Sequence, residues 1–191
     1  MDEYSVELVS ITAKNLAELW QISYGPKADL AWKQWDGPYF KDPVVDWATF
    51  KNGWGKASLE NPLRKVIVVE GHIVGIVTAY WEDGQLKRWL EVGIAIYDQT
   101  YWQKGIGTAA LRSWISSLFA RFLHLRRIGF TTWSGNIGMQ KLGERLGMQQ
   151  EARIRQVRFW QNHYFDSLKY GVLREEWQES INVMDEFIKK E

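Results

Sequence analysis

The stretch EVGIAIYDQTYWQKGIGT, from Glu91 to Thr108, decides the fold. Its first residues are rich in Val and Ile, which favour a strand, and the apolar residues from Ile106 onward have helical spacing. Between them, Gly105 and Gly107 open the helix in a G-x-G pattern. Glycine lets backbone approach an anion closely, and a helix N-terminus offers unpaired N–H groups at the positive end of its dipole. The stretch therefore predicts an anion-binding loop for which a pyrophosphate is the natural ligand.

Two better-known phosphate motifs are excluded by the residues around this loop. Gly105 is not followed by the Gly-Lys-Ser/Thr of a P-loop, and Ala110 stands where the dinucleotide fingerprint G-x-G-x-x-G needs its third glycine. The preceding strand also belongs to a meander of hairpins and not to a βαβ unit. On this motif alone, a tight strand-to-helix turn without a ligand remains the alternative.

The flanking sequence predicts an alternation of strands and helices on both sides of the loop. Short β-branched runs joined by Glu70-Gly71-His72 indicate a hairpin, and Gly147 marks the end of a short helix. The predicted elements are a strand at 6–11, a helix from Thr12 to about residue 25, a helix from about Pro43 to Trp54, strands at 66–69, 73–77 and 90–97, a helix from 106 to 122, a strand at 128–133, a helix at 136–146, strands at about 149–160 and 164–173, and a C-terminal helix at about 174–189.

This order predicts an α+β (α/β three-layer) architecture in which a mixed, mostly antiparallel sheet is flanked by helices. A chain of 191 residues is compatible with one core, and we expect a single domain over residues 1–191. The C-terminal helix carries an apolar stripe that favours either a homodimer or docking on the chain's own sheet. The stripe consists of Ile181, Met184, Phe187 and Ile188.

Composition excludes several functional classes. The 24 basic and 23 acidic side chains leave a net charge of +1, which argues against nucleic acid as a partner even though Arg153, Arg155 and Arg158 form a short basic run. The chain has no cysteine, so it has neither disulfides nor a thiolate metal site. None of the three histidines, His72, His124 and His163, has a second ligand at metal spacing, and no metal site is expected. No signal peptide or membrane span is recognisable, and we expect a cytoplasmic protein without membrane contact.

The Glu91–Thr108 stretch resembles the coenzyme A pyrophosphate loop of the GNAT acetyltransferase superfamily, whose motif is [RQ]-x-x-G-x-[GA]. Two further stretches support this resemblance: NIGMQKLGERLGM, from Asn136 to Met148, is similar to the family's second signature, and DSLKYGVLREEW, from Asp166 to Trp177, resembles the branch of ribosomal-protein N-terminal acetyltransferases. The resemblance implies the GNAT fold, acetyl-CoA as co-substrate and an N-acetyltransferase. The acceptor is a primary amine that attacks the thioester directly, on a protein N-terminus, a polyamine, or an amino sugar or antibiotic.

The resemblance also implies which residues bind the coenzyme. Backbone groups of Ile94, Ala95 and Ile96 would bond pantetheine on a strand that splays from its neighbour. Asn136 would bond the pantetheine arm, although ordinary helix capping explains it equally well. The pyrophosphate loop would comprise Trp102, Gln103, Lys104, Gly105, Ile106, Gly107 and Thr108.

Two positions depart from the family pattern. Trp102 stands at the Arg/Gln position of the loop motif, where this branch often tolerates an aromatic residue. Gly143 stands where many members have the tyrosine that protonates the departing thiolate, so that role has no assigned residue; Tyr164 and Tyr170 are replacement candidates. The absent tyrosine favours a second hypothesis, a GNAT-fold module that binds acyl-CoA as a sensor without turnover.

Glu91 is the candidate general base, because it begins the strand where several GNAT enzymes hold a catalytic glutamate. A half-buried carboxylate beside Trp89 and Trp81 would suit proton acceptance near neutrality. The alternative is a surface glutamate paired with Lys87 or Arg88.

Aromatic residues near the two N-terminal helices are candidates for the acceptor pocket. The chain has 12 tryptophans, and Trp32, Trp35 and Tyr39 lie on the side of this fold that the family uses for the acceptor. With the acids Asp29, Asp36 and Asp46 nearby, they would suit a cationic amine. The alternative is ordinary packing of these rings in the core. An aromatic-rich carbohydrate or nucleic-acid binder would leave the Gly105/Gly107 loop unexplained.

Overall fold

The computed structural model describes residues 4–180. The chain forms two compact units, whose described parts are residues 4–79 with 93–114 (the first unit) and residues 80–92 with 115–180 (the second unit). The strands are β1 Val6–Ser10, β2 Arg64–Val69, β3 His72–Trp81, β4 Leu90–Ile96, β5 Arg127–Trp133, β6 Gln149–Trp160 and β7 His163–Leu173. The α-helices are α1 Leu16–Ser23, α2 Trp47–Phe50, α3 Lys56–Ser58, α4 Ile106–Arg121 and α5 Ile137–Arg145.

The strands form one mixed sheet in the order β1-β2-β3-β4-β5-β7-β6. The pairs β1–β2, β2–β3, β5–β7 and β6–β7 are antiparallel, whereas β4 and β5 are parallel. The predicted fold class, a mostly antiparallel mixed sheet flanked by helices, is confirmed. Among residues 4–180, no helix combines the length and apolar character that a membrane crossing requires.

The pairing of β4 with β5 is short. Only Leu90 with Ile128 and Glu91 with Gly129 are in register, after which β5 continues to Trp133 paired with β7 alone. The pairing of β4 with its later neighbour in the sheet therefore ends directly after Glu91.

Two tight turns have the backbone conformation that their residues favour. Glu70 and Gly71, between β2 and β3, have φ of 50° and 81°, and Gln161 and Asn162, between β6 and β7, have φ of 48° and 61°. Paired left-handed residues match the twist of the flanking strands, which is why short hairpin loops prefer them. Both hairpins lie where the sequence predicted them.

The helices near the N-terminus differ from the prediction. Helix α1 begins at Leu16 and not directly after Thr12, because the Asn15 side chain accepts the Thr12 N–H (2.8 Å) and holds residues 12–15 in a turn. The second helix does not include Pro43; Asp46 caps it by accepting the Thr49 N–H (2.7 Å). It then continues through a π-helical turn, Lys51–Gly55, into α3.

Each unit has its own apolar core. In the first unit, Leu16 and Leu19 of α1 and Val66 of β2 pack with aromatic rings, including Trp32 from the irregular segment that follows α1. This cluster consists of Ile11, Leu16, Leu19, Trp32, Phe50, Val66, Ile73 and Tyr97. In the second unit, Phe130 of β5 is fully buried and stacks on Tyr170 of β7 with ring centroids 5.1 Å apart.

Strand β6 lies at the edge of the sheet, and its pairing with β7 is interrupted twice. The register shifts between Gln150 and Ala152 and again between Ile154 and Arg158. Gln156, inside the second interruption, is left-handed with φ 56°. Beyond β7, residues 174–180 are helical; the rest of the predicted helix at 174–189, with its apolar stripe, lies outside the described residues.

Candidate active site

The Gly105 loop has the conformation of an anion-binding turn. Asp98 accepts the Thr100 N–H (2.8 Å) and so caps a short 3-10 turn over Gln99–Tyr101. Gln103 and Gly105 then have φ of 60° and 79°, and α4 begins at Ile106. No atom lies within 4 Å of the place where a β-carbon on Gly105 would sit, so this glycine is required by conformation and approach and not by packing. As in any α-helix, the N–H groups of the first turn of α4 have no intrahelical carbonyl partners.

Trp102 ties the loop to the end of β4. Its indole N–H donates to the Ile96 carbonyl (2.9 Å), and its ring packs against the core of the first unit. This explains the departure from the family motif: an Arg or Gln would offer a polar end here, whereas Trp102 fills an apolar gap and still makes one hydrogen bond. Because its side chain is engaged in this way, we expect Trp102 to contact the coenzyme through its main chain alone.

The backbone of β4 beside the loop approaches β3 unusually closely. A β-carbon on Gly75 would collide with the Ala95 carbonyl oxygen, so only glycine fits at that position. The Tyr97 N–H donates to the Val74 carbonyl (2.9 Å). The three residues predicted to bond pantetheine, Ile94, Ala95 and Ile96, thus lie on a strand that is held tightly on its β3 side.

Asn136 begins α5 as an N-cap. Its Oδ1 accepts the Met139 N–H at 3.0 Å, the capping geometry expected of asparagine at this position. This contact orders the helix start and is compatible with a second role toward a ligand.

Glu91 is fully buried, and its carboxylate accepts three hydrogen bonds. Oε1 accepts from the Trp89 indole N–H (2.7 Å) and from Arg127 Nη1 (3.0 Å), while Oε2 accepts from the Thr131 hydroxyl (3.1 Å). The cation paired with Glu91 is therefore Arg127. The alternative of a surface glutamate paired with Lys87 or Arg88 is wrong. The half-burial expected from the sequence is an underestimate, because β5 and the Trp89 ring cover this carboxylate.

Arg127 connects Glu91 to a second carboxylate. Its Nε lies 3.0 and 2.9 Å from the two carboxylate oxygens of Glu151, and its Nη2 lies 3.3 Å from the Tyr170 carbonyl oxygen. Burial alone would lower the pKa of Arg127, but the hydrogen bonds and charges of Glu151 and Glu91 outweigh it and raise the pKa. Sequence reasoning missed Arg127, since only the parallel register of β4 and β5 brings residues 91 and 127 together.

Tyr80, on β3 in the same unit, was also missed. Burial, followed by the negative charges of Glu91 and Glu82, raises its pKa to about 12. Its hydroxyl therefore stays protonated across the neutral range.

Packing explains the glycine at position 143. A β-carbon there would lie 2.7 Å from Phe130 Cζ and 3.3 Å from Tyr170 Cδ1, so the stacked pair of rings occupies the space of a side chain. Of the two replacement candidates, Tyr170 is 3% exposed within this pair, whereas Tyr164 is 66% exposed and packs on Phe159.

The three acceptor-pocket candidates differ in burial. Trp32 is a core residue whose ring meets Tyr97 and Tyr24 edge-on at 5.1 and 5.5 Å. Trp35 is 39% exposed, and Tyr39 is half-buried and packs on Phe40 at 4.7 Å. All three lie in the first unit, as does the Gly105 loop, whereas Glu91 and Asn136 belong to the second.

The three aspartates predicted beside these rings have different tasks. Asp29 accepts the N–H groups of Ala31 (3.0 Å) and Gln99 (3.1 Å), and Asp46 caps α2. Burial and the neighbouring charge of Asp42 raise the pKa of Asp36. Among the hydrogen bonds described, Asp29 and Asp46 accept from backbone N–H groups, whereas Asp36 does not. Within residues 4–180, no group of three or more metal-ligating side chains converges.

Comparison with known proteins agrees with this geometry. Residues 6–149, more than half of the chain, match the family model described as the acetyltransferase (GNAT) domain. A Bacillus subtilis (strain 168) protein named "Putative ribosomal N-acetyltransferase YdaF" is 28% identical over 118 residues, which are 62% of this chain. The match covers 63% of that relative's length, less than two thirds of it.

Solved structures share the fold. A GNAT-family acetyltransferase from Bacillus anthracis superposes with a TM-score of 0.71 at 17% identity, covering 91% of this chain and 98% of that one. A spermidine N-acetyltransferase from Vibrio cholerae, solved with CoA and spermine, has a TM-score of 0.70 at 18% identity and the same coverage of both chains. The family-model match over residues 6–149 shows that the chain belongs to the GNAT acetyltransferase family.

Proposed function

We propose that this GNAT protein transfers the acetyl group of acetyl-CoA to a primary amine by direct attack of the amine on the thioester. The observation that carries the proposal is the Gly105 loop, with two left-handed residues before α4 and open space beside the Gly105 α-carbon. Main-chain N–H groups of residues 102–108 would hold the pyrophosphate at the helix N-terminus. Ile94, Ala95 and Ile96 would bond pantetheine, and Asn136 would support the arm from α5.

Glu91 is the proposed general base for the attacking amine. Its Oε2 accepts one hydrogen bond in the structure, whereas Oε1 accepts two, so Oε2 is the oxygen with capacity for a proton. Because the side chain is fully buried, the proton would travel from the amine through a water molecule or the Thr131 hydroxyl. A backbone N–H of β4 facing the thioester oxygen would stabilise the tetrahedral oxyanion.

The departing thiolate does not require the tyrosine that Gly143 replaces. The cysteine thiol has a pKa of about 8.5 and an alkyl thiol is a somewhat weaker acid, so coenzyme A can still leave as a thiolate and take its proton from water. The packing of Phe130 against position 143 supports this proposal, because no side chain fits there without moving the ring. The same observation favours the second candidate, an acyl-CoA-binding sensor without turnover.

The acceptor class is proposed from the first unit. Trp35, Tyr39 and the neighbouring carboxyls of Asp36 and Asp42 suit a cationic amine on a small molecule or a peptide N-terminus. The name of the Bacillus subtilis relative, a putative ribosomal N-acetyltransferase, favours a ribosomal acceptor, and the Vibrio cholerae spermidine N-acetyltransferase, solved with spermine, favours a polyamine. A screen of both acceptor types decides between them.

The first experiment is a calorimetric titration of acetyl-CoA into the protein and into Gly107→Glu. The variant places bulk and negative charge in the first turn of α4, and we expect an affinity loss of at least about tenfold, or 1.4 kcal/mol. Ser113→Glu is the matched control, since it adds the same negative charge at an exposed position farther along α4. Absence of binding by the folded wild-type protein would remove both the enzyme and the sensor.

The second experiment separates those two functions. Acetylation of any amine by the wild type, abolished in Glu91→Gln with acetyl-CoA binding retained, supports the enzyme with Glu91 as base. Binding without turnover across peptides, polyamines and amino sugars supports the sensor. Full turnover by Glu91→Gln would remove Glu91 as the base.

A further inference from the structure

Two glycines open a gap in one face of the sheet in the second unit. Gly129 of β5 is in register with Glu91 of β4 on one side and with Gly171 of β7 on the other. A β-carbon on Gly129 would collide with the Arg127 guanidinium, and one on Gly171 would collide with the Glu151 carboxylate. The absence of both β-carbons therefore leaves room for the Arg127–Glu151 pair to lie flat against the backbone.

The register shift in β6 allows Glu151 to reach this gap. Gln150 pairs with Tyr170 and Ala152 with Lys169, so Glu151 is the extra residue of a bulge. Its carboxylate meets the Arg127 Nε from one side, while Glu91 meets Nη1 from the other. The guanidinium is thus held by two carboxylates and by the Tyr170 carbonyl oxygen, whereas a simple ion pair would have one carboxylate.

We propose that Arg127 is a positioning residue for Glu91, held in the Gly129–Gly171 gap by Glu151, and that it keeps Oε1 of Glu91 engaged so that Oε2 receives the proton. This inference rests on the proposed role of Glu91 as base. The side chain of Glu91 is 0% exposed and that of Arg127 is 19% exposed, so water screens their interaction little. The Trp89 indole N–H, also on Oε1, reinforces the same orientation.

The other charged groups around Glu91 lie farther along the network. Lys169 of β7 donates to the Thr131 hydroxyl (3.1 Å) and lies 3.7 Å from Glu82, so it reaches Glu91 only through Thr131. Tyr80 of β3 stays neutral near pH 7, and Glu82 adds a negative charge. Arg127 is therefore the cation in direct contact with Glu91 among the described residues, and its loss would leave Oε1 with the Trp89 N–H as its remaining donor among the contacts described.

The test compares Arg127→Lys and Glu151→Gln with the wild type. Lysine keeps the charge but loses the fork, and Glu151→Gln leaves the Glu91–Arg127 contact while weakening its anchor. With the amine that the wild type acetylates, we expect Arg127→Lys to lower kcat about tenfold or more and to alter the acidic limb of kcat/KM. Glu151→Gln should have smaller effects on both, and KM for acetyl-CoA should stay within about twofold in both variants.

Arg126→Gln is the matched control. Arg126 precedes Arg127 in the chain, but its pair with Glu175 is exposed, with side-chain exposures of 73% and 52%, and its loss should leave kcat and the pH profile unchanged. An unchanged acidic limb in a folded Arg127→Lys protein would overturn the proposal, as would an equal loss in Arg126→Gln.

A second readout does not depend on turnover. The Trp89 indole N–H donates to Oε1 of Glu91 and so reports on the orientation of that carboxylate; its proton NMR resonance should move in Arg127→Lys and stay in place in Arg126→Gln. If the wild type acetylates no amine, the proposed function fails while this resonance still tests the link between the two side chains. An identical resonance in the wild type and Arg127→Lys would overturn the positioning role even if the enzyme is active.

Discussion

The loop at Gly105 and the carboxylate network around Glu91 are built on opposite physical principles. The loop consists of backbone N–H groups, left-handed residues and empty space beside an α-carbon. The network consists of buried side chains in which Glu91 has three donors and Arg127 two carboxylates. A ligand site made of backbone can be recognised from a short motif, whereas a network of side chains depends on which strands become neighbours.

The largest effect is expected when the network loses its cation. Arg127→Met leaves the buried Glu91 carboxylate without a counter-charge, and we expect the free energy of unfolding to fall by about 3–5 kcal/mol. Arg126→Met, which removes an exposed pair, should cost about 0–1 kcal/mol. Urea denaturation measures both; equal losses would show that the Glu91 network is no different from a surface ion pair.

The packing at position 143 comes next. Gly143→Ala places a β-carbon 2.7 Å from Phe130 Cζ, and we expect a loss of about 1–3 kcal/mol through overpacking. A Gly143→Ala/Phe130→Leu double variant should recover part of that loss, because a smaller side chain at position 130 leaves room for the methyl group. Unchanged stability of the single variant would contradict the packing account of the missing tyrosine.

A substitution at Gly105 should act through the backbone conformation of the loop and not through packing against its neighbours. Gly105→Ala meets no atom within 4 Å but must adopt φ near 79°, which costs about 1–2 kcal/mol. Gly138→Ala, in a helix with its nearest neighbour at 3.6 Å, should instead be neutral or stabilising. Thermal denaturation compares the two, and weaker acetyl-CoA binding by Gly105→Ala alone would sharpen the contrast with position 143.

The smallest effect concerns the titration of Tyr80. Burial is the largest cause of its pKa of about 12, and Glu91 is the second, so Glu91→Gln should lower this pKa while leaving it above 10. Because the folded-state pKa is raised, Tyr80 contributes stability that is present below pH 10 and is lost as pH rises through 12. Ultraviolet difference titration, with Tyr80→Phe to assign the signal, tests this. A Tyr80 titration that is unchanged in Glu91→Gln would contradict the influence of the Glu91 charge on the Tyr80 pKa.

The helices and strands could be predicted from the sequence because the signals for them are local. The β6–β7 hairpin, the Asn136 cap and the start of α4 each follow from turn, capping and periodicity rules that act over a few residues. The predicted start of α1 was wrong because the Asn15 side chain accepts the Thr12 N–H and holds residues 12–15 in a turn before the helix. The sequence does not show which of the two residues precedes the helix.

The sequence pointed to the Gly105 loop through its backbone motif and to Glu91 through the family resemblance, but not to the side chains around Glu91. Arg127 and Tyr80 carry no motif, since their proximity to Glu91 depends on the parallel pairing of β4 with β5 and on the burial of β3. The reason for Gly143 was also out of reach, because it depends on how Phe130 stacks on Tyr170 across two strands.

The interrupted edge strand β6 has a consequence for the protein in concentrated solution. An edge strand is a template for the addition of foreign strands, and β6 exposes Ile154, Val157 and Phe159 along its length. The break near Gln156 prevents a continuous ladder, and the charged run that includes Arg153 and Arg155 repels a second copy. The same irregularity that lets Glu151 reach Arg127 at one end of β6 thus has a counterpart farther along that protects the chain from aggregation.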